Sequence, residues 1–179
     1  MRVKEKIMDA EDIERTLNRL AYEIIERNKG SKNLAIVGIR TRGEFLARRL
    51  AEKISKLENT EIPVGILDIT FYRDDVRLKL RQPEVKTTEI SFPVDDKDII
   101  LVDDVLFTGR TVRSALDELI DFGRPKTVQL VVLIDRGNRE LPIQADFVGK
   151  KVKTSLNEEI KVNLKEVDGE DSVLLIEHD

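Results

Sequence analysis

Residues 98–111 read DIILVDDVLFTGRT, and no other stretch limits the possible folds of this chain as much. Ile99 to Val102 is a continuous, largely β-branched apolar run, as expected of a strand buried on both faces of a parallel sheet. The run ends in two adjacent acids, Asp103 and Asp104. A short apolar bridge, Val105, Leu106 and Phe107, leads into Thr108-Gly109-Arg110-Thr111. Beyond it, Val112, Ala115, Leu116, Leu119 and Ile120 fall at helical spacing, with Gly123 placed to end the helix and Pro125 just past it. The unit is strand, loop, helix. In open α/β sheets ligands gather at the carboxyl ends of the strands.

The residue types in that loop favour a sugar phosphate. A helix start offers unpaired N–H groups and a positive dipole end to an anion. Gly109 permits close backbone approach, and the hydroxyls of Thr108 and Thr111 can donate. Carboxylates beside a phosphate would repel it, so Asp103 and Asp104 are expected to face sugar hydroxyls or a cation such as Mg²⁺. Taken singly, each feature is an ordinary turn or helix cap; together they are a site. The window resembles the phosphoribosyl-pyrophosphate (PRPP) motif of type I phosphoribosyltransferases. The resemblance implies that Asp103 and Asp104 hold the ribose hydroxyls, and that Thr108 to Thr111 cradle the 5′-phosphate. It also places Val105, Leu106 and Phe107 in the substrate-binding stretch.

The remaining pattern predicts an α/β fold with a central, mainly parallel sheet flanked by helices, a small hood and a C-terminal hairpin. Helices are expected over 12–28 and 43–57. Strands are expected over 34–39, 64–72, 128–134 and 145–148. Ile160, Val162 and Leu164 alternate, Asp168-Gly169 turns, and Val173 to Ile176 follows, as in a hairpin. Residues 73–89 are charged and broken by Pro83, which predicts a long loop. The 179 residues are expected to form one domain, 1–179. There is no cysteine, and hence no thiolate or disulfide chemistry. No apolar stretch reaches the length of a membrane span and no secretory leader is evident, so a cytoplasmic protein without a membrane partner is expected. The net charge of −4 gives no global attraction to nucleic acid.

A second candidate site is Gly38-Ile-Arg-Thr-Arg-Gly43. The two glycines have the outer spacing of a P-loop, but Glu44 and Phe45 stand where Lys and Ser/Thr are required, so that reading fails. A strand-end loop presenting Arg40, Thr41 and Arg42 remains, and its cations suit pyrophosphate. In the family this is the pyrophosphate loop. The charged segment carrying Tyr72, Arg73, Asp74, Asp75, Arg77, Lys79 and Arg81 corresponds to a catalytic loop, with Arg73 and Arg81 the favoured contacts.

Further motifs sharpen the resemblance over nearly the whole chain: Glu26-Arg-Asn-Lys-Gly30, Tyr72-Arg-Asp-Asp75, Gly123-Arg-Pro125, Ile134-Asp-Arg-Gly137, Arg139-Glu-Leu-Pro142, Ala145-Asp-Phe-Val-Gly-Lys150 and Thr154-Ser155. They are similar to the branch that joins uracil phosphoribosyltransferase activity to attenuation of pyrimidine operons. The resemblance implies UMP formation from uracil and PRPP, with Mg²⁺ held mainly by PRPP rather than by a protein cage. It implies UMP or UTP as effectors, a pyrimidine-operon leader mRNA as partner, and a homodimer or higher homo-oligomer. By analogy the uracil slot lies near Arg136 and the backbone of Ile160. Asp104, Arg73 and Arg42 are the expected catalytic residues. Arg15, Arg19, Arg27, Arg139, Lys150 and Lys151 are candidates for RNA phosphates. Asn18, Tyr22, Asn138 and Gln144 depart from the branch's usual Thr, His, His and Arg, which bears on RNA affinity and leaves the PRPP motif intact. The only histidine, His178, reads as a tail residue rather than a base. Two alternatives stay open on the residues alone: an RNA-binding nucleotide sensor with little catalysis, and a phosphoribosyltransferase for another base.

Overall fold

The computed structural model describes residues 1–69 and 88–179. Tyr72, Arg73, Asp74, Asp75, Arg77, Lys79, Arg81 and the far end of the strand expected over 64–72 lie outside the described residues.

The apolar runs become a five-stranded parallel sheet in the order β3-β2-β4-β5-β6. Its strands are β2 (Leu34–Ile39), β3 (Val64–Leu67), β4 (Asp98–Leu106), β5 (Thr127–Asp135) and β6 (Phe147–Lys151). β2 is buried along its whole length, which is why it shows no alternation in sequence. Helices α1 (Ala10–Asn28) and α2 (Arg42–Glu58) pack on one face around Leu17, Leu20, Leu46, Leu50 and Ile100. Helix α3 (Arg110–Asp121) covers the other face with Val112, Ala115 and Leu119 against Val37, Leu101 and Val132.

A second, antiparallel sheet forms the hood, in the order β1-β8-β7. It comprises β1 (Arg2–Met8), β7 (Glu158–Asn163) and β8 (Ser172–Glu177), with a one-turn helix α4 (Lys165–Asp168) in the connection. The expected C-terminal hairpin is present, with α4 inserted before the turn. β1 was not expected. Its side chains are almost all exposed, so no apolar pattern marks it, and only pairing with β8 makes it a strand.

Several boundaries move for physical reasons. α1 starts two residues early because Asp9 and Asp12 form a reciprocal capping box. The strand expected to stop at Val102 continues through both acids to Leu106, because pairing with β5 continues to Leu106↔Asp135. Glu89, expected in a loop, exchanges both backbone hydrogen bonds with Ile66. His178 is not a loose tail. Its N–H donates to Asn157 O and its ring Nε2 lies 2.8 Å from Glu159 Oε2.

Charged contacts dock the hood onto α2 and brace it internally. Arg49 on α2 meets Glu166 and Asp171 at 2.7 and 2.8 Å, which raises its pKa further. Within the hood, Lys4 of β1 reaches Glu158 of β7 at 2.5 Å, and the same carboxylate accepts from Ser155 N–H at 2.8 Å. Lys4 first, and that N–H second, hold the Glu158 carboxyl down at about 2 against an ordinary 4.5. A depressed folded pKa gives stability that is full above the unfolded value and lost as pH falls through the folded one. Carboxyl titration by NMR is therefore expected to find Glu158 ionised well below pH 4.5, with the Lys4 tie released as the pH approaches 2. A Glu158 midpoint near 4.5 would contradict this tie.

Candidate active site

The loop after β4 forms the first half of the site. Gly109 caps α3 with φ +94°, a conformation that favours glycine. α3 has no side-chain cap and no acid in its first turn, unlike α1 with its Asp9 cap. Beside this helix start is a cavity of about 280 Å³ lined by the whole run Val105 to Thr111, with Val112 and Glu140, and Arg110 N–H donates to Thr108 Oγ1 at 3.2 Å. All seven of those residues were expected here, and the fold brings them together. The loop is braced from outside. Thr108 O accepts from Glu140 N–H and Leu141 N–H at 2.9 and 3.1 Å, and Arg110 Nε donates to Glu140 at 2.7 Å.

The second half lies between β4, the start of α2 and the underside of the hood. Asp104, Arg42 and Ile160 share a cavity of about 350 Å³ with Glu159, Lys161 and Val162. Asp103 and Asp104 are consecutive strand residues, so they leave β4 toward opposite faces. Asp104 is the one that lines this cavity; Asp103 is buried. Each carboxylate is held by the main chain: Asp104 N–H donates to Asp103 Oδ1 and Val105 N–H to Asp104 Oδ1, both at 2.8 Å. Among the described residues no cluster of three metal-ligating side chains exists, so a cation here would need oxygens from the substrate.

Arg40, Thr41 and Arg42 turn from β2 into α2, with a cis peptide between Arg40 and Thr41. Thr41 is the N-cap of α2 and its side chain makes no cap bond, while Glu44 places an acid in the first turn. Arg40 sits 4.0 Å from Glu44 and from Glu89. Arg42 grips Asp168 on the hood connection, Nε and Nη2 donating at 3.2 and 2.8 Å. The glycine pair of this loop, which resembled a P-loop, serves packing. A Cβ on Gly38 would lie 2.5 Å from Gly43 O, and one on Gly43 would lie 2.5 Å from Val102 O.

Arg136, expected near the base, borders the loop after β4. It is 6% exposed, and its guanidinium stacks 3.9 Å above the Phe107 ring. It donates to Thr154 Oγ1 at 3.0 Å, Ser155 O at 3.3 Å and Glu158 O at 2.7 Å. Burial pulls its pKa down, against the nearby Glu159 and Glu158. Arg136 thus joins the phosphate loop to the loop that leads into β7. Arg139 does similar work one turn away. Its nitrogens donate to Phe107 O, Ile143 O and Asp135, all at 2.8 Å. Burial would push Asp135 up, but Arg139 and the Gly137 N–H outweigh it and hold the carboxyl below its usual range.

The other basic candidates lie along α1 and the edge strand β6. Arg15 pairs with Asp12 and Glu11, Arg19 with Glu23 and the Gly149 carbonyl, and Arg27 with Asp146 beside the Phe147 ring. Lys150 and Lys151 are exposed at the end of β6, and Lys150 shares a shallow cavity with Arg15. Asn18, Tyr22, Asn138 and Gln144 are all exposed. Sequence reasoning named Asp135 and Thr154 only within motifs and Asp168 only as a turn residue, passed over Glu158, and gave none of them a role. Glu158 is held by Lys4 of β1, Thr154 by Arg136 and Asp168 by Arg42 of α2, all distant in sequence, whereas Asp135 pairs with Arg139 four residues on.

The chain matches the phosphoribosyl transferase domain family over residues 4–166. It is 58% identical to the bifunctional protein PyrR of Pelotomaculum thermopropionicum over 176 residues, covering 98% of this chain and 97% of that one. It is 57% identical to the PyrR of Deinococcus radiodurans over 174 residues, with 97% and 95% covered. Among solved structures, a hypoxanthine phosphoribosyltransferase from Staphylococcus aureus superposes with a TM-score of 0.70 at 21% identity, over 96% of this chain and 92% of that one. The hypoxanthine phosphoribosyltransferase of Trypanosoma cruzi gives 0.74 at 15%, over 99% and 98%; both likenesses concern the fold. No described helix is long and apolar enough to cross a membrane. With an uncapped helix start behind a Thr-Gly turn, a strand-borne acid facing an arginine, and relatives this similar over almost its full length, the chain belongs to the phosphoribosyl transferase family, in the branch of the bifunctional PyrR proteins.

Proposed function

We propose that this phosphoribosyltransferase makes UMP and pyrophosphate from uracil and PRPP, and that it binds pyrimidine-operon leader RNA in response to UMP or UTP. The observation that carries the first half is the single strand β4, whose Asp104 lines one cavity and whose continuation, Val105 to Thr111, lines the next. A ribose 5-phosphate spanning them would set its phosphate on the N–H groups of α3 and its hydroxyls against Asp104. Arg42, and the start of α2, then face the pyrophosphate side. The base would sit under the hood beside Ile160, with Arg136 fixing the walls of that slot rather than reading the base.

Loss of pyrophosphate from C1 builds positive charge on the ring, as in glycoside cleavage. Arg42 stabilises the departing anion, and the two anion sites hold the ring in one attitude. Mg²⁺, carried in on the donor's oxygens, would add charge neutralisation of the pyrophosphate. Asp104 would take a proton or hold the ring hydroxyls.

RNA recognition is assigned to the α1–β6 edge, through Arg15, Arg19, Arg27, Lys150 and Lys151. Arg139, all of whose nitrogens are engaged internally, would act by shaping the 136–146 loop. A cytoplasmic homodimer or larger assembly fits this reading. The test has two arms. Labelled PRPP offered with a panel of bases is expected to yield product with uracil; turnover on another base alone would reassign the substrate. A filter assay with a pyrimidine leader RNA is expected to show retention that rises with UMP; retention indifferent to UMP and UTP would remove the regulatory half.

A further inference from the structure

We infer that Asp168, on the hood connection, is a positioning residue for the transfer reaction, because it sets the Arg42 guanidinium toward the pyrophosphate side of the donor. The inference rests on the reading of Arg42 as the pyrophosphate contact.

The geometry is specific. Asp168 takes Nε and Nη2 of Arg42 at 3.2 and 2.8 Å, so one edge of the guanidinium is held by a carboxylate. Among the described residues the other terminal nitrogen, Nη1, has no hydrogen-bond partner, while Arg42 lines the cavity that holds Asp104 and Ile160. A guanidinium is a planar fork, and fixing one edge fixes the direction of the remaining donors. Asp168 is itself anchored, since Leu164 N–H donates to its Oδ2 at 2.8 Å. Arg42 first, and that N–H after it, hold the Asp168 carboxyl below its ordinary value, so the acid stays charged where the enzyme works.

The surroundings separate this pair from simple docking of the hood. The connection is already tied to α2 by Arg49, which reaches Glu166 and Asp171 with both edges of its guanidinium. Arg49 does not line the cavity and Arg42 does. The two arginines lie on one face of α2 about two turns apart. One clamps the hood; the other is clamped by it and points inward. Through this contact the hood, which walls the base slot, also sets a donor for the leaving group.

The experiment compares full-length variants by their Michaelis constants for PRPP and uracil, by inhibition with pyrophosphate, and by thermal midpoint. Asp168→Asn keeps the acceptor for Leu164 N–H and removes the charge. It is expected to raise the PRPP constant and the pyrophosphate inhibition constant about tenfold, with the uracil constant unchanged. Asp171→Asn, which weakens the Arg49 clamp, is expected to lower the midpoint and leave the PRPP constant alone. Arg42→Ala is expected to weaken PRPP binding, and adding Asp168→Asn to it should cost nothing more. An Asp168→Asn effect spread equally over PRPP and uracil, or matched by Asp171→Asn, would overturn the inference by making the pair structural. Full effects of Arg42→Ala with none from Asp168→Asn would overturn it too. No effect from Arg42→Ala would instead sink the underlying assignment of Arg42. Should Asp168→Asn fail to fold, Arg42→Lys decides. A lysine keeps the charge but lacks the planar fork whose direction Asp168 fixes, so PRPP binding is expected to weaken; an unchanged constant would count against the inference.

Discussion

Asp104→Asn is expected to lower turnover about a hundredfold while leaving the thermal midpoint almost where it was. The substitution conserves shape, and an asparagine oxygen can still accept from Val105 N–H, the one bond that ties this side chain to its own strand. What disappears is the negative charge facing the cavity that Arg42 and Ile160 also line. That charge favours a ring growing positive at C1, and it is a proton acceptor in the cavity of the proposed base slot, which Glu159 also lines. An amide supplies neither. Steady-state kinetics with saturating uracil and PRPP, beside a melting curve, give the answer directly. A variant with ordinary turnover would show that the acid of this reaction lies elsewhere. A variant that melts far below the parent would show that Asp104 is a structural residue.

Gly43→Ala is expected to destabilise the protein by about 3 kcal/mol and to lower its midpoint by about 10 °C. The added methyl would sit 2.5 Å from Val102 O and 3.3 Å from Asp103 Cα, both main-chain atoms that cannot swing aside. Relief requires the first turn of α2 to back away from β4. That turn carries Arg42, and the stretch of β4 it leans on carries the acids, so activity should fall beyond what unfolding explains. A calorimetric midpoint within a degree or two of the parent would mean that the helix has room the geometry denies it.

The donor half of this site was legible in the sequence because both of its elements announce themselves. An unbroken apolar run and a helical period flank a turn whose glycine has the required φ, and the structure assembles Val105 to Thr111 as one wall. The end of β4 was misjudged because side-chain pattern stops at Val102 while main-chain pairing does not. The base half was illegible for a different reason. Arg136 and Arg139 look like surface cations in a charge-rich chain, yet they end on carbonyl oxygens of Glu158, Phe107 and Ile143, and no residue type encodes a carbonyl. The hood was half legible: β7 and β8 alternate, whereas β1 reads RVKEKIM and turns almost nothing toward the core. Asp168 could have been found only by pairing the arginines of α2 with the acids of a distant turn.

The pairing of Arg2 with Glu177 joins the first strand to the last. During synthesis the parallel sheet can close as soon as β6 has emerged, but the roof waits for β8. A nascent or prematurely terminated chain would therefore carry the wall of Val105 to Thr111 without the hood above Asp104, with the edge of β1 bare and open to unwanted strand partners.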